Sequence, residues 1–479
     1  MPVLLSVPHI SAGSHHKMKD MWNPAFLLLN LILIISCSSD PVRTTHEECQ
    51  PQILRKLLQQ NILHTWYPHS VDTLYGGFLA DFSYNWEPSG PQNKMIVTQT
   101  RHIWTTSQAF MLLQDSVYLA LADHGFEFIK EKMWDSLNGG FYFILSREGV
   151  LQNNPGDFEK SAYGNAFAIY ALTGYYKASG NVEALELAKK TFNWLEKYSH
   201  DPLYGGYFDL MHYDGSLYTE ENSLLRGLSL QQRQWKDYNS SIHLLEAFSE
   251  LYSVWPDSLL RKRTNEMLCL VRDTLIDPRG FLNLYFIKDW KHISYRDSTE
   301  QVRKRNSYYD HVSFGHDVET AYLILEASHE LGLKNDQRTL DVAKNLIDHA
   351  LRNGWDDRYG GFFDAGYYYK DEPTLRIISR SKIWWAEAEE LNALLMLSQE
   401  FPDQPIYRVR FREQWNYITT WLIDHERGDW YPEGIDRNPV SKWKPKASVW
   451  KINYHNTRTL INCIHMLEEE TPIPVRNGS

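Results

Sequence analysis

The chain has 479 residues, 43% of them hydrophobic, which is enough for one large single-core domain or two to three ordinary ones. A formal charge of −11, with no long block of Lys or Arg, argues against nucleic acid or an anionic membrane face as the main partner. Aromatic residues reach 14%, with 17 Trp and 29 Tyr; most of these should pack a core, and the surplus suits stacking on sugar rings.

The N-terminus reads as an export signal. Lys17 and Lys19 precede an apolar run from Phe26 to Ile35, too short for a membrane span and ending in small residues. "IISC" resembles the lipobox before a lipid-modified cysteine, which makes Cys37 the expected first residue of a mature bacterial lipoprotein. An uncleaved signal anchor is the alternative, and Met18 and Met21 stand as alternative starts. Residues 1–45 are therefore set apart from a single domain over 46–479. The remaining cysteines, Cys49, Cys269 and Cys463, show no CxxC and no metal-ligand spacing. Cys269 and Cys463 fall in apolar helical stretches and read as buried small hydrophobes.

Beyond residue 50 the chain repeats itself. A helix near Pro51–Thr65 is followed by "LYGGFLADF" from Leu74. Related segments begin at Ser136 ("SLNGGFYFI"), Pro202 ("PLYGGYFDL"), Pro278 ("PRGFLNLYF"), Arg358 ("RYGGFFDAG") and, most worn, Arg427 ("RGDWYPEG"). Each pairs turn residues with alternating aromatics, the pattern of a tight turn entering a short strand. Between copies the period is helical. "YGNAFAIYALTGYYKAS" from Tyr163 is small and apolar almost all round, whereas "NVEALELAKKTFNWLEKYSH" from Asn181 is amphipathic. The same alternation recurs along the chain. Six units of hairpin, apolar helix and amphipathic helix predict two concentric rings, an all-α (α/α)6 barrel, with the Pro51–Thr65 helix closing the outer ring. A linear helical solenoid is the rival; no polar capping repeat is evident at either end.

The polar residues fall on this repeat. Arg101, Tyr163, His243, His316, the Trp384–Trp385 pair and His455 open successive inner helices. His243 and His316 are 73 residues apart, and His316 and His455 are 139 apart, nearly twice that. If the ring closes, Arg101, Tyr163, His243, His316, Trp385, Glu389 and His455 surround one pocket. Glu246 and Glu319 lie three residues after a histidine, on the same helical face, and Glu389 four after Trp385; such carboxylates orient imidazoles or bind sugar hydroxyls, and a buried one can instead simply pair with an arginine. A lone histidine at a helix start usually caps it or faces solvent, but three at matching positions point to function. A metal site is the weaker reading of the histidines, because there is no HExxH and the carboxylate spacing is generic. His102, His311 and His425 lie off the register and receive no role.

These motifs together resemble the N-acylglucosamine 2-epimerase superfamily, most closely its cellobiose and mannobiose 2-epimerase branch. They are "TRHIWTTSQAF", "YGNAFAIYAL", "NSSIHLLEAFSELYSVWPD", "FGHDVETAYLI", "KIWWAEAEELNALL" and "WKINYHNTRTLI", spread over residues 50–470. The resemblance implies an (α/α)6 barrel that needs no metal, nucleotide or other cofactor. It implies that His316 and His455 are general acid/base residues that open the pyranose, move the C2 proton through a cis-enediol(ate) and close the ring. His243 matches a third histidine at the reacting end. Arg101, Tyr163, Asn239, Glu246, Glu319, Trp385, Glu389 and Trp450 match substrate-contacting or supporting positions. Two positions depart from the branch: Glu387 stands where Gln is usual, and Asn453 where Pro is usual.

The expected partner is thus a small carbohydrate, with no nucleic acid, and with a membrane touched only through the N-terminal lipid. The leading reading is a 2-epimerase acting at the reducing end of a β-linked disaccharide. An N-acylglucosamine or monosaccharide epimerase or isomerase, a glycoside hydrolase on the same barrel, and a non-catalytic sugar-binding protein are the alternatives.

Overall fold

The computed structural model describes residues 48–151, 160–219, 232, 234–370 and 372–470; the export segment, with Cys37, lies outside them. The helices in chain order are α1 Pro51–Leu57, α2 His64–His69, α3 Ile96–Leu113, α4 Ser116–Phe128, α5 Ala162–Ser179, α6 Val182–Tyr198 and α7 Tyr238–Tyr252. They continue with α8 Ser258–Leu270, α9 Glu300–Asn306, α10 Phe314–Glu330, α11 Gln337–Gly354, α12 Trp384–Glu400, α13 Pro405–Tyr417 and α14 Tyr454–Glu470.

The inner ring is α3, α5, α7, α10, α12 and α14. Each packs on the next, and α14 returns to pack on α3, so the ring closes and a linear solenoid is ruled out. Each of the first five inner helices lies against the helix that follows it, and α14 lies against α1, the outer member expected near Pro51. Burial explains this sorting. In α5 every residue from Ala162 to Tyr175 is buried, whereas α11 buries a single face with Thr339, Ala343, Leu346, Ile347 and Ala350. Cys463 is buried as expected, but Cys269 is only half-buried, because it lies toward the solvent side of outer helix α8.

Antiparallel bridges close the hairpins at all six repeat positions: Val71–Phe78, Trp134–Phe141, His200–Tyr207, Ile276–Leu282, Trp355–Phe362 and Ile423–Trp430. A second set of short pairs stitches neighbouring units. The residues just before an inner helix pair with the strand after the next hairpin, as Lys94–Met95 do with Ile144–Leu145 and Lys160–Ser161 with Leu210–Met211. The turns need glycine: Gly140 has φ +72°, and a Cβ there would come within 2.8 Å of the Trp194 ring.

One feature of the repeat is electrostatic. Lys94, Lys160, Lys236 and Lys382 stand two residues before an inner helix, and each is buried against the aspartate that opens the preceding hairpin. The Nζ–Oδ2 distances are 2.9 Å to Asp72, 2.7 Å to Asp135, 2.7 Å to Asp201 and 2.9 Å to Asp356. Lys446 does the same for Asp424 at 2.6 Å. Each ammonium also donates to a glycine carbonyl of its hairpin, as Lys160 does to Gly139 at 2.6 Å. The aspartate's other oxygen accepts backbone N–H groups of the turn, Leu137 and Asn138 in the case of Asp135. The fourth unit differs: Val312 takes the lysine's place, and Asp277 pairs with Arg279 at 2.8 Å. Removing one member of a buried pair strands the other charge. Lys160→Ala is therefore expected to cost about 3 kcal/mol of stability in denaturant titrations, whereas Lys304→Ala, which loses only an exposed pair with Glu300, should leave the midpoint unmoved.

Candidate active site

The N-terminal ends of the inner helices share one mouth of the barrel. Tyr163, His316, Trp385 and His455 lie in the first turn of their helices; Arg101 and His243 lie in the second turn of theirs. The closed ring brings them together. The His316 ring lies 4.5 Å from that of Trp385, and the His455 ring 5.6 Å from the same indole. His243 packs against Tyr163 at 5.4 Å and Phe167 at 4.7 Å. Arg101 Nη2 reaches the Tyr163 hydroxyl at 3.3 Å, and its guanidinium lies over the rings of Phe167 and Tyr454. Its buried Nε has no hydrogen-bond partner, which leaves a donor free for a ligand oxygen. The Asn239 side chain lies beside Tyr163. Trp450 is half-buried in the turn before α14, and among the described residues no ring contact joins it to the histidines.

Beneath the imidazoles sits a buried charge cluster. Arg458 Nη2 contacts Glu319 Oε1 at 2.6 Å and Glu389 Oε1 at 2.8 Å, while Nη1 holds Glu246 and donates to the Tyr454 hydroxyl at 2.8 Å. Two of these carboxylates in turn hold histidines: His243 Nδ1 lies 2.7 Å from Glu246, and His455 Nδ1 lies 2.8 Å from Glu389. Glu319 does not orient His316, three residues before it on the same helix. It serves Arg458 and lies 4.0 Å from His455 Nδ1. His316 Nδ1 is bound by a hydroxyl, that of Ser313, at 2.7 Å.

Charge states follow from these contacts. Burial acts to raise the Glu246 carboxyl, but Arg458 and His243 outweigh it and hold it down at about 2. Burial pushes Glu389 up to about 8; Arg458 opposes this and Glu319 adds to it. Burial also takes His455 well below the usual imidazole range, helped by Arg101 and Arg458. At neutral pH the Glu389–His455 contact thus holds a proton with a neutral imidazole. His316 is lowered by burial, then by His243 and His311. Glu319, Glu389 and His455 could together offer a metal three ligand atoms. Both carboxylates already face the Arg458 guanidinium, so a cation occupies the role a metal would take.

Residues 77–458 match the sequence profile of N-acylglucosamine 2-epimerase (GlcNAc 2-epimerase). The chain belongs to the N-acylglucosamine 2-epimerase family. It is 28% identical over 427 residues to a cellobiose 2-epimerase of Bacteroides fragilis, spanning 88% of this chain and 100% of that one. It is 29% identical over 418 residues to a cellobiose 2-epimerase of Ruminococcus albus, with 86% and 97% covered. Among solved structures, the cellobiose 2-epimerase of Spirochaeta thermophila superposes with a TM-score of 0.72 at 26% identity, covering 88% of this chain and 97% of that one.

Both departures from the family branch lie behind the pocket rather than in it. Asn453 Nδ2 reaches the buried Tyr67 hydroxyl at 3.3 Å, and that hydroxyl in turn contacts His102 Nδ1 at 3.4 Å. Glu387 accepts the Phe362 N–H of the fifth hairpin, the task that Gln99, Asn165 and Asp317 perform for the first, second and fourth. Gln414 Nε2 donates to it at 2.7 Å.

Sequence reasoning missed Arg458, although the rule that found Glu246 and Glu319, three residues after a histidine, picks it out from His455. It also missed Tyr238, whose hydroxyl lies 3.4 Å from His316 Nε2, and Ser313. Burial raises Glu387 from 4.5 to about 8, so between those values the folded chain binds a proton that the unfolded chain lacks. This group's contribution to stability therefore falls as pH climbs through that window. Glu387→Gln keeps the acceptor with no proton to lose. Its gain in thermal midpoint over the parent, read by scanning fluorimetry, is expected to be small near pH 4.5 and to grow toward about pH 8.

Proposed function

We propose that this chain is a cofactor-independent sugar 2-epimerase that interconverts the gluco and manno configurations at the reducing end of a β-linked disaccharide of the cellobiose or mannobiose type. One observation carries the reading: two imidazoles, His316 and His455, flank a single indole, Trp385, at the mouth of a family barrel. Trp385 offers a stacking face for the reducing-end hexose. One imidazole removes the C2 proton of the ring-opened sugar; the other returns a proton from the opposite face of the planar enediolate, so no proton is gained or lost overall. Burial lowers the pKa of both, so each rests as a neutral imidazole able to accept a proton and return it. Arg101, with its free Nε, would stabilise negative charge on the enediolate oxygen. The cellobiose 2-epimerases are 28% and 29% identical, against 23% for a D-mannose isomerase and 20% for an N-acylglucosamine 2-epimerase matched over similar lengths, which supports a disaccharide over an N-acylated or single sugar.

A glycoside hydrolase needs two carboxyls free to act on the glycosidic bond. Here Glu246, Glu319 and Glu389 are all tied to Arg458, which speaks against that reading. With cellobiose in deuterated water, deuterium is expected at C2 of the reducing sugar with the glycosidic bond whole. Released monosaccharide would mean a hydrolase, and no change would mean a binder. His316→Ala and His455→Ala should each slow C2 exchange about 10²–10⁴-fold, measured by proton NMR.

The proposal extends to location. Lys17, Lys19, the Phe26–Ile35 run and Cys37 support export as a bacterial lipoprotein held by a lipid on Cys37. No helix among the described residues is long and apolar enough to cross a membrane. Cys37→Ser is expected to move the full chain from the membrane fraction to the soluble one; an unchanged distribution would overturn the anchor.

A further inference from the structure

The three histidines at the mouth are not held alike. His243 and His455 each present Nδ1 to a carboxylate, whereas His316 presents it to the Ser313 hydroxyl. Ser313 is the N-cap residue of α10, where a serine normally accepts a backbone N–H from the first turn. Ser161, the N-cap of α5, does so from Gly164 at 2.9 Å, and Asp237, the N-cap of α7, from Ser240. Ser313 makes no cap bond of this kind. Its reach of three residues is the same, but the hydroxyl is turned to a side chain. On the other side of the ring, the Tyr238 hydroxyl lies 3.4 Å from Nε2.

We infer that Ser313 is a positioning residue that gives up helix capping to hold His316 in the Nδ1–H tautomer, with Nε2 bare toward the sugar. This deepens the epimerase reading and rests on it for the role of His316. Nδ1–H donates to Ser313 Oγ; the Tyr238 phenol donates to Nε2 until substrate displaces it. The Tyr238 phenol stays protonated because burial raises it well above its usual value. When Nε2 takes the C2 proton, the Nδ1–H bond to Ser313 is unchanged, so the ring keeps its orientation in both states. A neutral hydroxyl also leaves the imidazolium without a counter-charge, so the proton is readily returned. The groups facing His316 from neighbouring elements agree: Tyr238 and His243 on α7, His311 before α10, Trp385 on α12 and His455 on α14 supply no carboxylate.

The test uses the full chain, with cellobiose in deuterated water as probe. Ser313→Ala is expected to lower C2 exchange at least about tenfold through kcat, with KM within about twofold. The thermal midpoint should fall only slightly, through loss of the single hydrogen bond to His316 and not of a cap bond. Ser313→Thr should restore most of the rate. Ser313→Asp gives His316 a charged carboxylate of the kind His243 has in Glu246, and should raise the acidic limb of the kcat/KM profile by at least about one pH unit. Nitrogen NMR of the histidine-labelled chain reads the tautomer without turnover: Nδ1–H at His316 in the parent, a mixture in Ser313→Ala. Parental rates and pH profiles in the Ala and Asp variants, or an Nε2–H tautomer in the parent, overturn the inference. A parent that leaves C2 unexchanged while showing the Ser313-dependent tautomer overturns the epimerase reading alone.

Discussion

The Arg458 guanidinium is the tie on which the pocket depends. It comes from α14, and its partners come from α7, α10 and α12, so one side chain joins four of the six inner helices at the barrel axis. Three carboxylates this close repel one another, and in a buried setting the repulsion is weakly screened. A planar cation with several donors can face all three at once, which a lysine's point charge does less well. The surplus negative charge is relieved where Glu389 retains a proton shared with His455. The same cluster thus closes the ring and sets two of the three histidines.

A second charge pattern holds the periphery. The buried Lys–Asp pairs lie at the joint between hairpin and inner helix, and the lysine also binds the hairpin's glycine carbonyl. Each joint therefore fixes where an inner helix begins, and with it the height of the side chains in its first turns. Of the three residues at the mouth, Trp385 follows such a joint directly, at Lys382, whereas the helices of His316 and His455 begin without a lysine two residues before them. The fourth joint, with Val312 for lysine, is also the one whose N-cap serine binds the His316 ring instead of the backbone. Its helix start is still fixed by pairing of Val312–Ser313 with Ala365–Gly366 and by Asp317 accepting the Leu282 N–H.

The pocket is asymmetric in chemistry although its frame repeats. Two imidazoles rest on carboxylates and one on a hydroxyl, and a single indole lies between one of each kind. For the proposed proton transfer on opposite faces of one carbon, the repeat supplies imidazoles at different addresses, and their Nδ1 partners distinguish them. Glu387 and Asp317 show the same economy in reverse. They are carboxyls at positions where Gln99 and Asn165 are amides, and burial keeps them protonated enough to act alike.

Periodicity alone determined the barrel, its six units, the closing helix near Pro51 and the ring of histidines. Those features are local or repeat along the chain, so spacing registers them. Spacing along one helix also gave the Glu246–His243 pair correctly. It left open what the other two meet: Glu319 binds Arg458, the arginine pairing that a buried glutamate allows, and Glu389 meets both Arg458 and His455. The resemblance marked Glu387 and Asn453 as departures without fixing what they touch; both face away from the pocket, toward a hairpin and Tyr67. Only the tertiary structure decided these, because which carboxylate meets which cation depends on how far each helix is rotated about its own axis. That rotation is fixed by contacts between helices far apart in sequence, and no interval along the chain records it.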